Sequence, residues 1–359
     1  MNRQYINGKY ISIIAIATFT GCSSTNEQPG DRTENPNVLI ILSDDQGWGD
    51  IGSHGNDSIE TPNLDLLKQN GVSGERFFVS AVSAPTRASL LTGKYCFDVG
   101  VSWVCQGLED FNEGVFTIAD VFKSNDYTTG CFGKWHNGRH YVNHPLRMGF
   151  DHFLGFRSGG WHYIDPVLEY NDTVLKTHGY LTDILADSAI RFMEKNKNDR
   201  FFCYLPFSAP HSPFQLPDTL FQKYKQKGLS DKNAAIYGMI ERMDLQIGRI
   251  LKYLEDNQII ENTIVIFLSD NGPNGYRYNG CMKGIKAKVD EGGVRVPFFI
   301  YQKHRISGGK SIEGEIAHID LLPTLNELCN LEGFDADEID GKSFAQELLN
   351  NKKPTPRNL

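Results

Sequence analysis

The sequence predicts an α/β fold, a large mostly parallel mixed sheet sandwiched by helices, and two observations carry that expectation. Unbroken apolar runs recur far apart, at residues 38–42, 201–207 and 264–268. A strand that is apolar at every position, rather than at every second one, is buried on both faces, as in a parallel sheet covered by helices. Between these runs lie stretches with helical period, clearest in Ile236, Ile240, Met243, Ile247, Ile250, Leu251 and Leu254, which share one face up to Asn257. Strands alternating with helices give a layered architecture, and in such sheets ligands sit beyond the carboxyl ends of the strands.

The bulk numbers agree with an ordinary globular enzyme: 359 residues, 40% hydrophobic and 22% charged. Length alone suggests about two domains, but large α/β enzymes carry this much chain on one core. A net charge of -8 argues against nucleic acid as a partner, while a local cluster of cations can still receive a small anion. Arg3 and Lys9 precede an apolar run at residues 10–19 that is too short to span a bilayer and is placed like an export leader. The run ends in Phe19-Thr20-Gly21-Cys22, which resembles the lipobox of bacterial lipoproteins, with Cys22 as the lipidated residue. The alternative is a plain secretory signal with an incidental cysteine. Residues 1–22 are thus a signal peptide and residues 23–36 a polar tether. Cys96, Cys105, Cys131, Cys203, Cys281 and Cys329 remain, without CxxC or Cys/His metal spacing. Cys96 and Cys105 are the only close pair, and most of the six read as small buried apolar residues.

Two of the strand runs end in acids, Ser43-Asp44-Asp45 and Ser269-Asp270-Asn271. Three carboxylates and an amide oxygen are hard donors that suit calcium or magnesium rather than zinc. Taken alone, an acidic pair after a strand is a solvated loop or a helix cap. The third run leads to Pro210-His211. Ser83 precedes Pro85 and the helix-forming segment 87–91, which Gly93 can end. This spacing predicts Ser83 near a helix N-cap, with Pro85 in the first turn. It reads either as a capping serine or as a nucleophile at the positive end of the helix dipole, with Arg87 one turn further on. Lys134 and His136 follow the short run 128–133, and Lys286 lies in the segment 283–297. Each of these is weak by itself.

Together the segments resemble the formylglycine-dependent sulfatases of the alkaline phosphatase superfamily, from residue 37 to about 343. The elements stand in family order: Ser43-Asp44-Asp45-Gln46, Thr61-Pro62-Asn63-Leu64-Asp65, Ser83-Ala84-Pro85-Thr86-Arg87 with Leu90-Leu91-Thr92-Gly93-Lys94, and Gly133-Lys134-Trp135-His136. Then come Gly149-Phe150-Asp151, Pro210-His211, Ser269-Asp270-Asn271-Gly272, Lys286, Glu291-Gly292-Gly293 and Asp320-Leu321-Leu322-Pro323-Thr324-Leu325. Serine where the family often has cysteine resembles the serine-type bacterial subgroup, whose nucleophile a radical-SAM enzyme matures. Thr86 replaces the commoner serine. The chain ends before the small antiparallel C-terminal subdomain usual in the family. The expected layout is therefore a catalytic domain at 37–345, with 346–359 opening an incomplete C-terminal region.

The resemblance implies one calcium ion held by Asp44, Asp45, Asp270, Asn271 and residue 83, the last converted from serine to formylglycine. It places Arg87 and Lys134 near residue 83 and Lys286 on the sulfate. A serine sulfo-ester would need a second displacement, whereas an aldehyde hydrate has a second hydroxyl with which to expel sulfate. His136 is the candidate base for that expulsion, and His211 with Lys286 the candidate acid at the leaving oxygen. The expected function is hydrolysis of a sulfate monoester on a sulfated glycan, by an exported enzyme lipid-anchored in the bacterial cell envelope. One alternative is a phosphate mono- or diester hydrolase of the same superfamily using unmodified Ser83. Another is an anchored protein that binds sulfated glycan without turnover. The segments 159–163 and 275–279, rich in Trp and Tyr, are candidates to line a sugar subsite, although aromatics in loops more often pack.

Overall fold

The computed structural model describes residues 35–350 and 352, apart from 307 and 334. Cys22, the rest of the leader and most of the tether lie outside the described residues, as do 351 and 353–359.

The strands are β1 (Asn37–Ser43), β2 (Val72–Phe78), β3 (Thr128–Lys134), β4 (His152–Phe156), β5 (Val167–Tyr170), β6 (Thr173–Lys176), β7 (Phe201–Pro206), β8 (Thr263–Ser269), β9 (Phe298–Tyr301) and β10 (Lys310–Ala317). They form a ten-stranded sheet in the order β10-β2-β9-β8-β1-β7-β3-β4-β5-β6. Its middle, from β8 through β1, β7 and β3 to β4, is wholly parallel. β9 enters antiparallel between β2 and β8, and β5 and β6 form a hairpin at one edge. The three apolar runs are β1, β7 and β8, buried along their whole length.

β1 shows why these runs cannot alternate. Val38, Ile40 and Leu42 point into one core, and Leu39 and Ile41 into the other. The helices are α1 (Pro62–Asn70), α2 (Ser83–Thr92), α3 (Ile118–Ser124), α4 (Leu181–Lys195), α5 (Asp218–Gln226), α6 (Asp231–Asp256), α7 (Glu291–Val294), α8 (Leu321–Leu328) and α9 (Ala345–Asn350). The first core packs under α2, α3, α8 and α9, and the second under α1, α4 and α6. With helices on both faces the sheet never meets water except at its rims, which is what permits parallel strands. The predicted amphipathic stretch is α6; Ser230 caps its start by accepting the Asn233 N–H at 3.3 Å, and Asn257 is its C-cap. Cys96 and Cys105 are not joined; all six described cysteines are free, and Cys96, Cys131, Cys203 and Cys329 are buried.

Candidate active site

The carboxyl ends of β8, β1, β7 and β3 fall side by side along one rim of the sheet. They deliver Asp270 and Asn271, then Asp44 and Asp45, then the 208–211 turn with His211, then Lys134 and His136. The start of α2 adds Ser83. The helix N-cap is Val82 (φ -147°, ψ 156°) and Ser83 is the first helical residue, next to the cap as expected, with Pro85 in the first turn. Its hydroxyl caps nothing. Oγ donates to Asp270 Oδ2 at 2.5 Å, accepts from Arg87 Nε at 2.9 Å, and lies 3.2 Å from His136 Nδ1. The helical repeat puts residues four apart on one face, which brings Arg87 back onto Ser83. Arg87 also donates to Asp270 Oδ2 from Nη2 at 2.8 Å and to the Lys134 carbonyl from Nη1 at 2.9 Å.

Asp44 Oδ2 receives Lys134 Nζ at 2.5 Å, with Arg87 Nη2 at 3.7 Å. Its other oxygen, Oδ1, is buried with no hydrogen-bond partner. Asn271 gives its Nδ2 to Asp45 Oδ1 at 2.8 Å, and its own Oδ1 is likewise buried and unpartnered. Leaving a buried acceptor unsatisfied costs about 1–3 kcal/mol. Two such oxygens at neighbouring strand ends therefore suit an electropositive occupant, and oxygen-only donors suit a hard cation. Asp44, Asp45 and His211 place ligand atoms within 4.8 Å of one another. The histidine nitrogen is the softer donor, and the Asp270 and Asn271 oxygens complete the set better. Asp270 Oδ1 accepts the Asp45 N–H at 3.1 Å.

Asp45 is the most connected member. Lys286 Nζ reaches its Oδ1 at 2.5 Å, Asn274 Nδ2 its Oδ2 at 3.1 Å, and His211 Nε2 stands 3.9 Å from Oδ2. His211 and Lys286 each keep 21% of the side chain exposed, whereas Asp44, Ser83, Arg87, Lys134, Asp270 and Asn271 are 0–1% exposed. The open side of the site is therefore the His211–Lys286 side. His211 Nδ1 donates to the Ser212 carbonyl at 2.7 Å, which turns Nε2 toward the site. His136 Nε2 donates to the Val104 carbonyl at 2.9 Å, so the lone pair of Nδ1 faces Ser83. Asp45 (φ 66°) and His136 (φ 62°) both hold left-handed backbone, a conformation costing about 1–2 kcal/mol outside glycine. Such strain persists where the surroundings over-determine it.

Charge sets the protonation states. Burial pushes Asp270 up, but Arg87, Lys134 and Lys286 outweigh it and hold the carboxyl well below the carboxylate range. Burial likewise opposes Asp45, and Lys286 prevails to lower it. Asp44 is raised, by burial first and by Asp270 second, with Lys134 pulling back. Burial pushes both lysines down; it prevails at Lys134, whereas at Lys286 three carboxylate neighbours outweigh it and keep the ammonium above its ordinary value. Burial and then Lys134 hold His136 well below 6.5, so it is a neutral imidazole.

The nine expected residues at the strand ends and on α2, with Lys286 from the loop after β8, thus meet in one place. The sugar-subsite candidates fare differently. Tyr163 is buried with its hydroxyl on the Ser208 carbonyl at 2.6 Å, and Trp161 stacks on Phe156 at 5.5 Å. Arg277 is turned inward onto Asp50. Tyr276 alone of the aromatics in these segments is strongly exposed, at 81%. Gly159 and Gly160 cross the two site histidines: a Cβ on Gly159 would lie 2.6 Å from His136 Nε2, and one on Gly160 3.3 Å from His211 Cε1. Asn274, Arg277, Gly159 and Gly160 were not among the expected catalytic or metal residues, and no period or motif in the sequence marks them as such.

Comparison with known proteins agrees with this geometry. The Sulfatase family's sequence model matches residues 36–331. The N-acetylgalactosamine-6-sulfatase of Canis lupus familiaris is 29% identical over 355 residues, covering 88% of this chain and 66% of its own length. The chain thus spans just under two thirds of that relative. An arylsulfatase of Clostridium perfringens is 28% identical over 399 residues, covering 90% of this chain and 80% of its own. Among solved structures, Ps i-CgsB in complex with k-i-k-neocarrahexaose aligns with a TM-score of 0.84 at 29% identity, over 89% of this chain and 77% of that one. A phosphonate monoester hydrolase of Agrobacterium radiobacter shares the fold, with a TM-score of 0.68 at 21% identity, over 90% of this chain and 79% of that one.

Proposed function

Because the chain belongs to the sulfatase family, we propose that it hydrolyses a sulfate monoester carried on a saccharide. The observation that carries the reading is the pair of buried, unpartnered oxygens, Asp44 Oδ1 and Asn271 Oδ1, in the same cluster as Ser83 Oγ. Calcium is the cation assigned to them, with Asp45, Asp270 and residue 83 completing its oxygen set. When bound it supplies positive charge: three carboxylates already face Arg87, Lys134 and Lys286, so a dication leaves the site net positive toward the anionic ester. A formylglycine at residue 83 supplies a hydrated aldehyde, with one hydroxyl to accept the sulfo group and a second to release it.

The remaining chemistry belongs to side chains. Arg87 orients the residue 83 oxygen and keeps Asp270 ionised beside it. Lys134 pairs with Asp44 and opposes the upward push that burial gives that carboxyl. His136, locked by Val104, takes a proton from the residue 83 hydroxyl at Nδ1. On the open side, Lys286 meets the sulfate oxygens, and His211 gives a proton from Nε2 to the departing alcohol. The saccharide assignment draws on the N-acetylgalactosamine-6-sulfatase relative and on the bound oligosaccharide of Ps i-CgsB. The same reading includes a radical-SAM maturase acting on Ser83, export, and a lipid anchor at Cys22 in the bacterial cell envelope. Its support is Arg3, Lys9 and the apolar run before Cys22.

The test is a peptide mass across residue 83 after co-expression with such a maturase, paired with rates on matched sulfated and phosphorylated saccharides. Loss of a hydrogen pair at residue 83 together with sulfate release is expected. Faster phosphate release by an unmodified Ser83 would hand the site to the phosphoesterase alternative. Fatty-acid labelling that survives Cys22→Ser would remove the anchor.

A further inference from the structure

The loop after β1 and the loop after β8 are locked together behind the cation-facing oxygens. Arg277 Nε donates to Asp50 Oδ1 at 2.7 Å and Nη2 to Asp50 Oδ2 at 2.5 Å, with 2% and 0% of the two side chains exposed. The same Nη2 donates to the carbonyl of Asp45 at 3.0 Å. Nη1 reaches the carbonyl of Asn274 at 3.4 Å, and the amide of Asn274 holds Asp45 Oδ2. Asp50 in turn accepts the Gly47 N–H at 2.7 Å, and its carbonyl accepts from Gln46 Nε2 at 3.2 Å. The loops touch so closely that a Cβ on Gly49 would lie 2.5 Å from Asn279 Cα, and one on Gly47 2.9 Å from Pro273. Asn279 Oδ1 accepts the Gly49 N–H at 3.0 Å.

A fully buried ion pair is poor value as a stabiliser, since well-packed apolar residues of the same volume often serve equally. What a planar guanidinium does that they cannot is hold several acceptors at fixed angles. Here one of those acceptors is the carbonyl of Asp45, whose backbone is left-handed (φ 66°) and whose other polar atoms are already committed to Asp270, Lys286, Asn271 and Asn274. We propose that Asp50 and Arg277 form a positioning clamp that holds the strained Asp45 backbone, and with it the carboxylate, in register for the divalent cation. The proposal rests on the assignment of that oxygen cluster to calcium. Arg277 is a positioning residue: it acts through Asp45 and Asn274.

The discriminating variant is Arg277→Lys, which keeps a positive charge beside Asp50. One ammonium cannot span both Asp50 oxygens and the Asp45 carbonyl. A second, Asp50→Asn with Arg277→Met, removes both charges together, so neither is left buried alone. Calcium chloride is titrated calorimetrically into chelator-stripped full-length protein, and the thermal midpoint is read in chelator. Wild type is expected to bind one ion. Both variants are expected to bind it at least about tenfold more weakly, with the chelator-state midpoint of Arg277→Lys close to wild type. Calcium affinity within about twofold of wild type in either folded variant overturns the clamp, including the case in which only the midpoint falls. Wild type that binds no calcium overturns the cation assignment itself, a result separable from the first.

Discussion

Replacing Arg87 by methionine keeps most of the side-chain volume and removes a guanidinium that is 0% exposed. Asp270 then loses its closest cation and keeps as hydrogen-bond donors the Ser83 hydroxyl and the Asp45 N–H, with Lys134 and Lys286 acting only at longer range. Removing one partner of a buried pair costs about 3–5 kcal/mol, and the lost bond to the Lys134 carbonyl adds about 1 kcal/mol. In chelator, where no bound cation supplies a counter-charge, the sum is roughly 4–6 kcal/mol; at about 2 °C per kcal/mol for a chain this large, the midpoint should fall by roughly 8–12 °C. Asp270→Asn in the Arg87→Met background neutralises the stranded carboxylate and should return about 2 kcal/mol or more of that loss. The assay is a thermal double-mutant cycle in chelator. Single-variant losses that add to within about 0.5 kcal/mol would show that the two residues do not interact, and the electrostatic account of the site would fall with them.

Three further outcomes follow from the geometry. His136→Gln should lower kcat by about 10²–10⁴-fold; because burial and Lys134 hold His136 well below 6.5, it stays unprotonated above that pH, and a kcat limb near 6.5 that vanishes in the variant would contradict the assignment. Gly159→Ala puts a Cβ 2.6 Å from His136 Nε2, so kcat should drop roughly tenfold or more through displaced proton-transfer geometry while the thermal midpoint moves by a few degrees; an unchanged kcat would mean that the loop yields freely. Asp244 on α6 accepts the N–H groups of Asn63 and Leu64 at the start of α1 (3.1 and 2.8 Å), and burial, outweighing these donors, lifts it from 3.8 to about 6. Its folded form binds the proton more tightly, so its stabilisation is complete below pH 3.8 and is lost as pH rises through about 6. The shift of roughly two pH units corresponds to about 3 kcal/mol, and wild type minus Asp244→Asn should fall by about that much between pH 4 and 7 in urea unfolding; a flat difference refutes it.

How much of this was legible in the sequence depended on whether a residue sat at the end of a periodic element. β1, β7 and β8 could be read because both faces of a central parallel strand need apolar side chains, and their last residues point at Asp44, Asp45, Asp270, Asn271 and His211. α6 could be read from its apolar stripe. Ser83 could be read as lying near the start of α2; the cap itself is Val82, whose extended backbone carries no capping side chain and so leaves no mark in the composition. Arg277 reads only as part of the 275–279 candidate sugar subsite, and Asn274 carries no sign of its bond to Asp45. Nothing in a local stretch announces a partner 227 residues away, as Asp50 is from Arg277. Gly159 and Gly160 read only as part of the 159–163 candidate sugar subsite, not as the close approach that two imidazoles demand.

The distance along the chain between Asp45 and Asp270, 225 residues, has a consequence for how the molecule comes into being. At roughly 5–20 residues per second of synthesis, β1 emerges about 10–45 s before the strand that will lie beside it. For most of that interval β1 has neither neighbour, since β7 follows it by 164 residues, and its acidic tip has no counter-charge from Lys286. An early collapse around β2, α2 and β3 would have to leave a slot and insert β7 and β8 on either side of β1. The catalytic rim therefore cannot close until β8 and Lys286 have emerged, and a chain interrupted before β7 holds β1 as an unpaired apolar ribbon, a form prone to associate with another like itself.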